Sequence, residues 1–199
     1  MKSWKLIWLV GAGLLTACAS SGSEQKNPGG LDYTPVRGTA LVDNVTFYQK
    51  DPKWAAHNLG STSETIETDG CLLTATAMVL GNLGFETDPG DLNKRMTAVN
   101  GFTKNGWLVW SAIDKVTNGT ATARYYDSVS LEIIDGCIAD GYYPLARFIL
   151  PNGRSHWAMI LRRSEQGFHM RDPLHKSNQP LIFPRGVDAF KAIRCVGIA

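Results

Sequence analysis

Several patterns are missing from this chain of 199 residues. Its four cysteines include no C-x-x-C pair, which argues against a structural zinc site. It has no glycine-rich phosphate loop and no set of His, Asp and Glu at metal-ligand spacing, so we expect neither a cofactor nor a metal. No internal repeat and no second linker interrupt residues 38–199, a length that suits one domain with a real core.

The chain also lacks a long hydrophobic run. The apolar stretch near the N-terminus covers only residues 6–15, too few for a stable bilayer anchor. Lys2 and Lys5 precede it and small residues follow it, an order typical of a secretory signal. We therefore predict a signal peptide at residues 1–17.

The end of this segment, Leu15-Thr16-Ala17-Cys18, resembles the lipobox of bacterial lipoproteins, in which the cysteine receives lipid. The alternative is an ordinary cleaved signal that contains a cysteine. Ala19 and Ser20 follow, without an aspartate, as in lipoproteins sent on to the outer membrane. The resemblance implies a lipid anchor on Cys18 in the bacterial cell envelope, facing the periplasm. The Ser-, Gly- and Pro-rich residues 18–39 predict a flexible tether, followed by a domain at 40–199.

An excess of charge is missing as well. Removal of residues 1–17 takes away Lys2 and Lys5 and no acidic residue, which leaves 18 basic against 18 acidic residues. A neutral chain without a basic run argues against nucleic acid as the partner.

Helical patterns dominate the first half of the domain. Apolar spacing predicts four helices, over 70–82, 88–96, 107–116 and 130–139. Asp69 is the predicted cap of the first helix, and Asp88 caps the second, with Pro89 in the first turn. The first helix is apolar almost all round, which is typical of a buried helix.

Strand patterns dominate the second half. They predict a meander over 144–150, 156–163 and 168–172, further strands over 181–183 and 192–198, and an extended strand or arm over 40–49. Helices first and an antiparallel sheet after them predict an α+β fold.

Cys71 lies at the start of the predicted buried helix. Free backbone N–H groups and the helix dipole there favour a thiolate, the nucleophilic form. A buried cysteine is also common as a small hydrophobic residue. Three cysteines remain after Cys18, so one disulfide and one free thiol are allowed; if Cys71 is the free one, Cys137 and Cys195 are the candidate pair.

His156 and Asp172 are the candidate partners of a nucleophile. His156 opens a predicted strand and can act as the base, and Asp172 ends the next strand and can fix the imidazole tautomer. Each also has a structural interpretation, as a turn histidine and as an aspartate before proline. A hairpin closed by Glu165 and Gln166 alone would leave Asp172 about 10 Å along the strand from His156, so the triad predicts a loose five-residue loop.

This order of residues resembles that of papain-like cysteine peptidases. The likeness is strongest to the branch of bacteriocin-processing, double-glycine-leader peptidases and their stand-alone exported relatives, and covers about residues 44–199. It rests on these segments: Tyr48-Gln49-Lys50-Asp51-Pro52-Lys53-Trp54, Thr65-Ile66, Gly70-Cys71, His156-Trp157-Ala158-Met159 and Arg171-Asp172-Pro173.

The resemblance implies a papain-like fold and a peptide or protein substrate. It makes Cys71 the nucleophile, His156 the general acid and base, Asp172 its orienting group and Gln49 an oxyanion-hole donor. Gln49 is also explained as a polar edge-strand residue, since 21 residues separate it from the cysteine. Many relatives have a small residue where this chain has Leu72, which predicts a different groove. No transporter segment follows, so leader processing during export is not implied.

Three alternatives stay open. A transpeptidase or a peptidoglycan amidase would use the same triad. A papain-like scaffold could bind peptides without catalysis, with ordinary reactivity at Cys71. A structural lipoprotein would hold Cys71 in a disulfide.

Overall fold

The computed structural model describes residues 29–33 and 41–199. The predicted signal peptide, Cys18 and most of the predicted tether lie outside these residues. Part of the tether, 29–33, contacts the domain: Leu31 is buried and its N–H donates to the Val116 carbonyl. This part is thus held on the domain, although the sequence predicted a flexible segment. Within the described ranges no helix has the length and apolar character needed to cross a membrane.

Five α-helices and a six-stranded sheet make up the described domain. The helices are α1 (Ile66–Asp69), α2 (Cys71–Leu83), α3 (Pro89–Ala98), α4 (Ala112–Val116) and α5 (Leu131–Ala139). The strands are β1 (Ala121–Tyr125), β2 (Tyr143–Ile149), β3 (Ser155–Ser164), β4 (Gly167–Arg171), β5 (Leu181–Phe183) and β6 (Ala192–Ile198).

The sheet is antiparallel throughout, in the order β1-β6-β2-β3-β4-β5. Four of the five helices precede all six strands in the chain, and α5 lies between β1 and β2. The predicted α+β arrangement, a helical N-terminal part against a C-terminal antiparallel sheet, is confirmed.

Helix α2 packs on one face of this sheet. Its side chains from position 73 to 80 are all buried, and Met78 and Leu80 have no exposed surface. They share a core with Leu145 of β2 and Met159 of β3. Because each such side chain contributes about 1.5–3 kcal/mol on burial, this contact fixes the helix, and with it the position of Cys71, relative to the sheet. The prediction of a buried helix is confirmed.

The start of α2 differs from the prediction. Asp69 does not cap it: Asp69 ends α1 and pairs with Arg154 at 3.2 Å, and α2 has no side-chain cap. Gly70 joins the two helices, and a Cβ there would lie 2.5 Å from the Ile66 carbonyl oxygen. Glycine therefore permits the close approach that places Cys71 directly after α1.

The helix predicted over 107–116 is wrong in its first half. Phe102 and Leu108 form a β-bridge around a turn at Gly106, whose φ is 76°. Only the residues of α4 are helical, and Trp107 is 71% exposed on the preceding loop. The turn overrides the helical spacing of the tryptophans.

The second and fourth predicted helices are present as α3 and α5. Asp88 caps α3, with Pro89 in the first turn, and Ser130 caps α5. Helix α5 covers the opposite face of the sheet, where Cys137 forms a disulfide with Cys195 of β6. The conditional pairing of these cysteines is confirmed, and Cys71 is the free cysteine of the described residues.

Candidate active site

Cys71 is the first residue of α2 and is partly exposed. Its backbone N–H makes no hydrogen bond to any other residue of the described ranges. This N–H and the positive end of the helix dipole face the region in front of the thiol. An anion formed beside Cys71 would therefore meet a free donor.

His156 is the second residue of β3 and is only 2% exposed. Its Nε2 lies 2.7 Å from Asp172 Oδ1, and its ring packs edge-on against Phe148 at 5.4 Å. Cys71 is close enough to His156 to interact with the imidazole and to raise its pKa. Because Nε2 is occupied by Asp172, Nδ1 is the nitrogen left for the thiol.

The protonation of His156 reflects these neighbours. Burial by itself lowers the pKa of His156, since a charged ring loses water. Hydrogen bonds and charge interactions with Asp172 and Cys71 act in the opposite direction and together raise the pKa of His156 to about 9. The imidazolium is thus the favoured form at neutral pH, between two groups that can carry negative charge.

Asp172 follows directly after β4. Its Oδ1 accepts from His156 and also from the Leu174 N–H at 2.8 Å, and its side chain is 10% exposed. Two donors on one oxygen hold this carboxylate in place. The group that orients His156 is therefore itself fixed by the turn after β4.

The β3–β4 hairpin corrects the predicted register. The turn is tight, since Ser164 pairs with Gly167, so the predicted five-residue loop is wrong. The change in strand register that brings Asp172 near His156 comes instead from a β-bulge between Ile160 and Arg162. A one-residue shift exchanges the two faces of a strand, and this one brings Asp172 to the face of the sheet from which His156 projects.

Gln49 is 2% exposed and lines the same cleft as Cys71 and His156. Its Nε2 donates to the Glu67 carbonyl at 2.8 Å, which fixes the orientation of the amide. One N–H of Nε2 remains for another acceptor. Its Oε1 is buried without a partner among the described residues, a feature that costs stability and is concentrated at functional sites.

An extended arm over 41–49 carries Gln49 to this position. Asn82 of α2 holds the arm through both the N–H and the carbonyl of Val45. Arg171 binds Asp43 through two hydrogen bonds of 2.7 and 2.9 Å. The Gln49 N–H donates to the Pro173 carbonyl at 2.8 Å. The arm thus joins the nucleophile helix to the strand that precedes Asp172.

Arg171 is a contributor whose role the sequence did not reveal. It belongs to the Arg171-Asp172-Pro173 segment of the resemblance, yet nothing in that segment indicates its partner 128 residues away. It is 6% exposed and also donates to the carbonyls of Ser177 and Asn178. This guanidinium anchors the turn that carries Asp172.

The other histidines lie outside this arrangement. His169 is bound by Arg162 and Ser164, as expected for a side chain on the other side of β4 from Asp172. His57 and His175 are exposed. His175 makes its backbone hydrogen bond to the Asp172 carbonyl, whereas His156 is the histidine that interacts with Cys71.

A cleft of about 1000 Å³ surrounds Cys71 and His156. Its lining includes the acidic side chains of Glu67 and Asp69 in α1 and of Glu64 before it, together with aromatic and basic side chains. The aromatic side chains include Trp110 and Trp157, and the basic ones are Lys50, Arg147, Arg154 and Arg194. Its volume is in the range of small-molecule and peptide sites.

No protein-family model matches the chain, and no curated protein matches its sequence. One similar solved structure is a protein from Bacillus anthracis described as a proposed C39-like peptidase. The two are 14% identical, with a TM-score of 0.48, over 80% of this chain and 98% of that chain. A likeness of this size does not assign an activity to this chain.

Proposed function

We propose that this protein is a papain-like cysteine peptidase or amidase that works through a thioester on Cys71. The observation that carries the proposal is the placement of His156 between two partners: it interacts with Cys71, and its Nε2 lies 2.7 Å from Asp172 Oδ1. A thiol, a base and a group that orients the base are the three parts that nucleophilic catalysis by cysteine requires.

In the first half of the reaction the Cys71 thiolate attacks the carbonyl carbon of the scissile bond. The Cys71 N–H and the remaining Nε2 N–H of Gln49 receive the negative oxygen of the tetrahedral intermediate. Nδ1 of His156 gives its proton to the leaving nitrogen, which departs as an amine. The substrate's acyl group stays on Cys71 as a thioester.

In the second half a water molecule attacks the thioester. Neutral His156 takes one proton from this water, and the second tetrahedral intermediate uses the same two donors. Collapse releases the substrate's carboxylic acid and restores the thiolate and the imidazolium. An amine in place of the water would give a transpeptidase, so products formed with and without added amines distinguish the two reactions.

The order of the functional residues supports the papain-like assignment. The cysteine begins a buried helix, and the histidine and the aspartate follow on neighbouring strands of an antiparallel sheet. The second helical position, Leu72, is partly buried and lines the cleft beside Cys71. A groove narrowed by this leucine would accept different peptides from a groove that has a small residue at this position.

We further propose that the domain acts outside the cytoplasm, held by lipid on Cys18 to the outer membrane and facing the periplasm. The disulfide between Cys137 and Cys195 supports an oxidising compartment. Globomycin-sensitive processing and mass spectrometry of the N-terminal peptide test this location. An unmodified Cys18 in the mature protein would contradict it.

The test of the activity uses internally quenched peptide pools and the mature protein. Cleavage by the wild type and none by Cys71→Ala, with unchanged circular dichroism, is the expected result. Recovery of an acyl group on Cys71 by mass spectrometry after rapid quenching would identify the thioester. Equal cleavage by both proteins would refute the mechanism.

A further inference from the structure

The face of the sheet that α2 covers continues beyond this helix and forms part of the cleft wall. Arg147 of β2 points to the same face as Leu145, and Arg194 of β6 to the same face as Val196. Leu145 is opposite Arg194 in the ladder, so Arg147 and Arg194 are diagonal neighbours on adjacent strands. Both line the cleft that contains Cys71.

The two guanidinium groups have no carboxylate partner in the described ranges. Five other arginines form such ion pairs, namely Arg95, Arg124, Arg154, Arg163 and Arg171. Arg147 makes one contact of 3.5 Å, with the Lys191 carbonyl, and Arg194 binds the carbonyls of Ile193 and Tyr126. The Nε atoms of both are buried without a hydrogen-bond partner in the described structure.

Aromatic side chains lie beside both arginines. Trp157 is opposite Arg147 in the ladder, and its ring lies 5.9 Å from that of Trp110. The guanidinium of Arg194 lies 5.5 Å from the ring of Tyr125. Tyr125 is exposed, whereas Trp110 and Trp157 are half-buried. Apolar surface beside Arg147 strengthens the attraction of this cation for an anion.

The acidic residues of the cleft lie elsewhere. Glu64, Glu67 and Asp69 belong to α1 and the segment before it, and Asp69 is bound by Arg154. None of them lies within ion-pair distance of Arg147 or Arg194. The cleft lining thus contains acidic residues from α1 and the segment before it, and two cations from the sheet that have no carboxylate partner in the described ranges.

We propose that Arg147 and Arg194 form a carboxylate-binding subsite for the substrate. This inference rests on the proposed function, and it adds a substrate class: peptides with an acidic side chain or a free C-terminal carboxylate near the scissile bond. Arg147 pairs with Trp157, the residue after His156, so its Cα lies one position along the ladder from the pair that contains His156. At about 3.3–3.6 Å per extended residue, the carboxylate belongs within one or two residues of the cleaved bond.

Three peptide pools test the subsite and distinguish the two sources of the carboxylate. The three pools share one randomised design. The first contains Glu and ends in an amide, the second contains Gln and ends in a free carboxylate, and the third contains Gln and ends in an amide. The wild type is expected to cleave one of the first two pools about tenfold faster than the third. The Glu pool identifies a side-chain carboxylate and the free-acid pool a terminal one. Equal rates for all three pools would overturn the proposal.

Variants assign the preference to the two arginines. Arg147→Gln and Arg194→Gln are each expected to lose most of the preference, with Arg147→Lys retaining part of it. Arg185→Gln is the matched control, since Arg185 is exposed and lies outside the cleft lining. Thermal unfolding identifies any glutamine variant that fails to fold. In that case the cleavage preference of Arg147→Lys tests the assignment instead. An unchanged preference for the carboxylate pool in glutamine variants that fold would overturn the assignment.

Binding separates this inference from the proposed function. Fluorescein-labelled forms of the same pools are titrated into Cys71→Ala, which cannot form the thioester. Tighter binding of a carboxylate pool, reduced by Arg147→Gln, supports the subsite even when the wild type cleaves nothing. Equal binding of all pools contradicts the subsite even when the wild type is an active peptidase.

Discussion

His156 Nε2 lies 2.7 Å from Asp172 Oδ1 because a bulge in β3 shifts one strand past the other. Asp172 follows Arg171, which pairs with Met159, so Asp172 reaches the level of Ala158. That position shares a face with His156, two residues away. Without the bulge Asp172 would lie level with Met159, on the other face of the sheet.

Loss of the Asp172 charge should reduce catalysis while preserving the fold. In Asp172→Asn the pKa of His156 falls, because a main cause of its elevation is the hydrogen bond and charge of this carboxylate. We expect kcat/KM on a cleaved peptide to fall by about 10²–10⁴, and an NMR titration of His156 to move to lower pH. Asp135→Asn, which removes an exposed partner of Arg163, is the control. An unchanged titration of His156 would contradict the assignment.

Stability should depend on pH through His156. Its pKa is about 9 in the folded protein against 6.5 for the ordinary side chain. A raised folded pKa adds stability that is fully present below about pH 6.5 and is lost as the pH rises through about 9. The difference in free energy of unfolding between the wild type and His156→Asn should shrink by about 1–3 kcal/mol over this range. Urea unfolding at about pH 6.5 and about pH 9 measures this difference in free energy. A difference that does not change with pH would contradict the raised pKa of His156.

Gln49 should affect the rate more than binding. An oxyanion donor acts on charge that exists only in the transition state, so Gln49→Ala is expected to lower kcat by about 10²–10³ with a smaller change in KM. Gln166→Ala, in the exposed turn between β3 and β4, is the control. A rise in KM at constant kcat would instead indicate that Gln49 only supports the cleft wall.

The ion pair between Arg171 and Asp43 should be a stability element. Arg171→Met leaves Asp43 and two carbonyls without their donor, and we expect a loss of about 3–5 kcal/mol in the free energy of unfolding. Arg163→Met, which breaks an exposed pair, should cost less than about 1 kcal/mol. A double-mutant cycle with Asp43→Asn measures the coupling. Additive losses would show that the two side chains act independently.

The disulfide should stabilise the domain by closing a long loop. Cys137 and Cys195 are 58 residues apart, which corresponds to about 4 kcal/mol in the chain-entropy description. Urea unfolding of the Cys137→Ser and Cys195→Ser double variant should show a loss of about 2–4 kcal/mol. Cys71→Ser should leave the effect of reductant on unfolding unchanged, since Cys71 is free.

The local elements of the site were predictable from the sequence, but their register was not. Apolar spacing and the turn before Cys71 indicate a buried helix, and alternation around His156 indicates a strand. The bulge at Leu161 leaves no signal, because Leu161 is one more apolar residue in an apolar strand. A two-residue turn was therefore expected to separate His156 from Asp172.

Long-range contacts and local turns account for the remaining differences. The two buried-facing arginines of the cleft, Arg147 and Arg194, lie in strands whose other inward residues are apolar, a departure visible only once the faces are known. Strand β1 went unrecognised because its sequence, ATARY, is short and only partly buried. Trp107 was assigned to a helix because its spacing is helical, whereas the chain turns over 103–106, with Gly106 at a positive φ directly before it.

The rate of Cys71 alkylation by iodoacetamide at neutral pH tests the central claim most directly. It is measured by mass spectrometry of the folded mature protein, with the urea-unfolded protein and His156→Ala as references. A thiol that shares its proton with His156 should react at least about tenfold faster in the folded wild type than in either reference. Equal rates in all three would contradict a catalytic Cys71 and would support a scaffold that binds peptides without cleaving them.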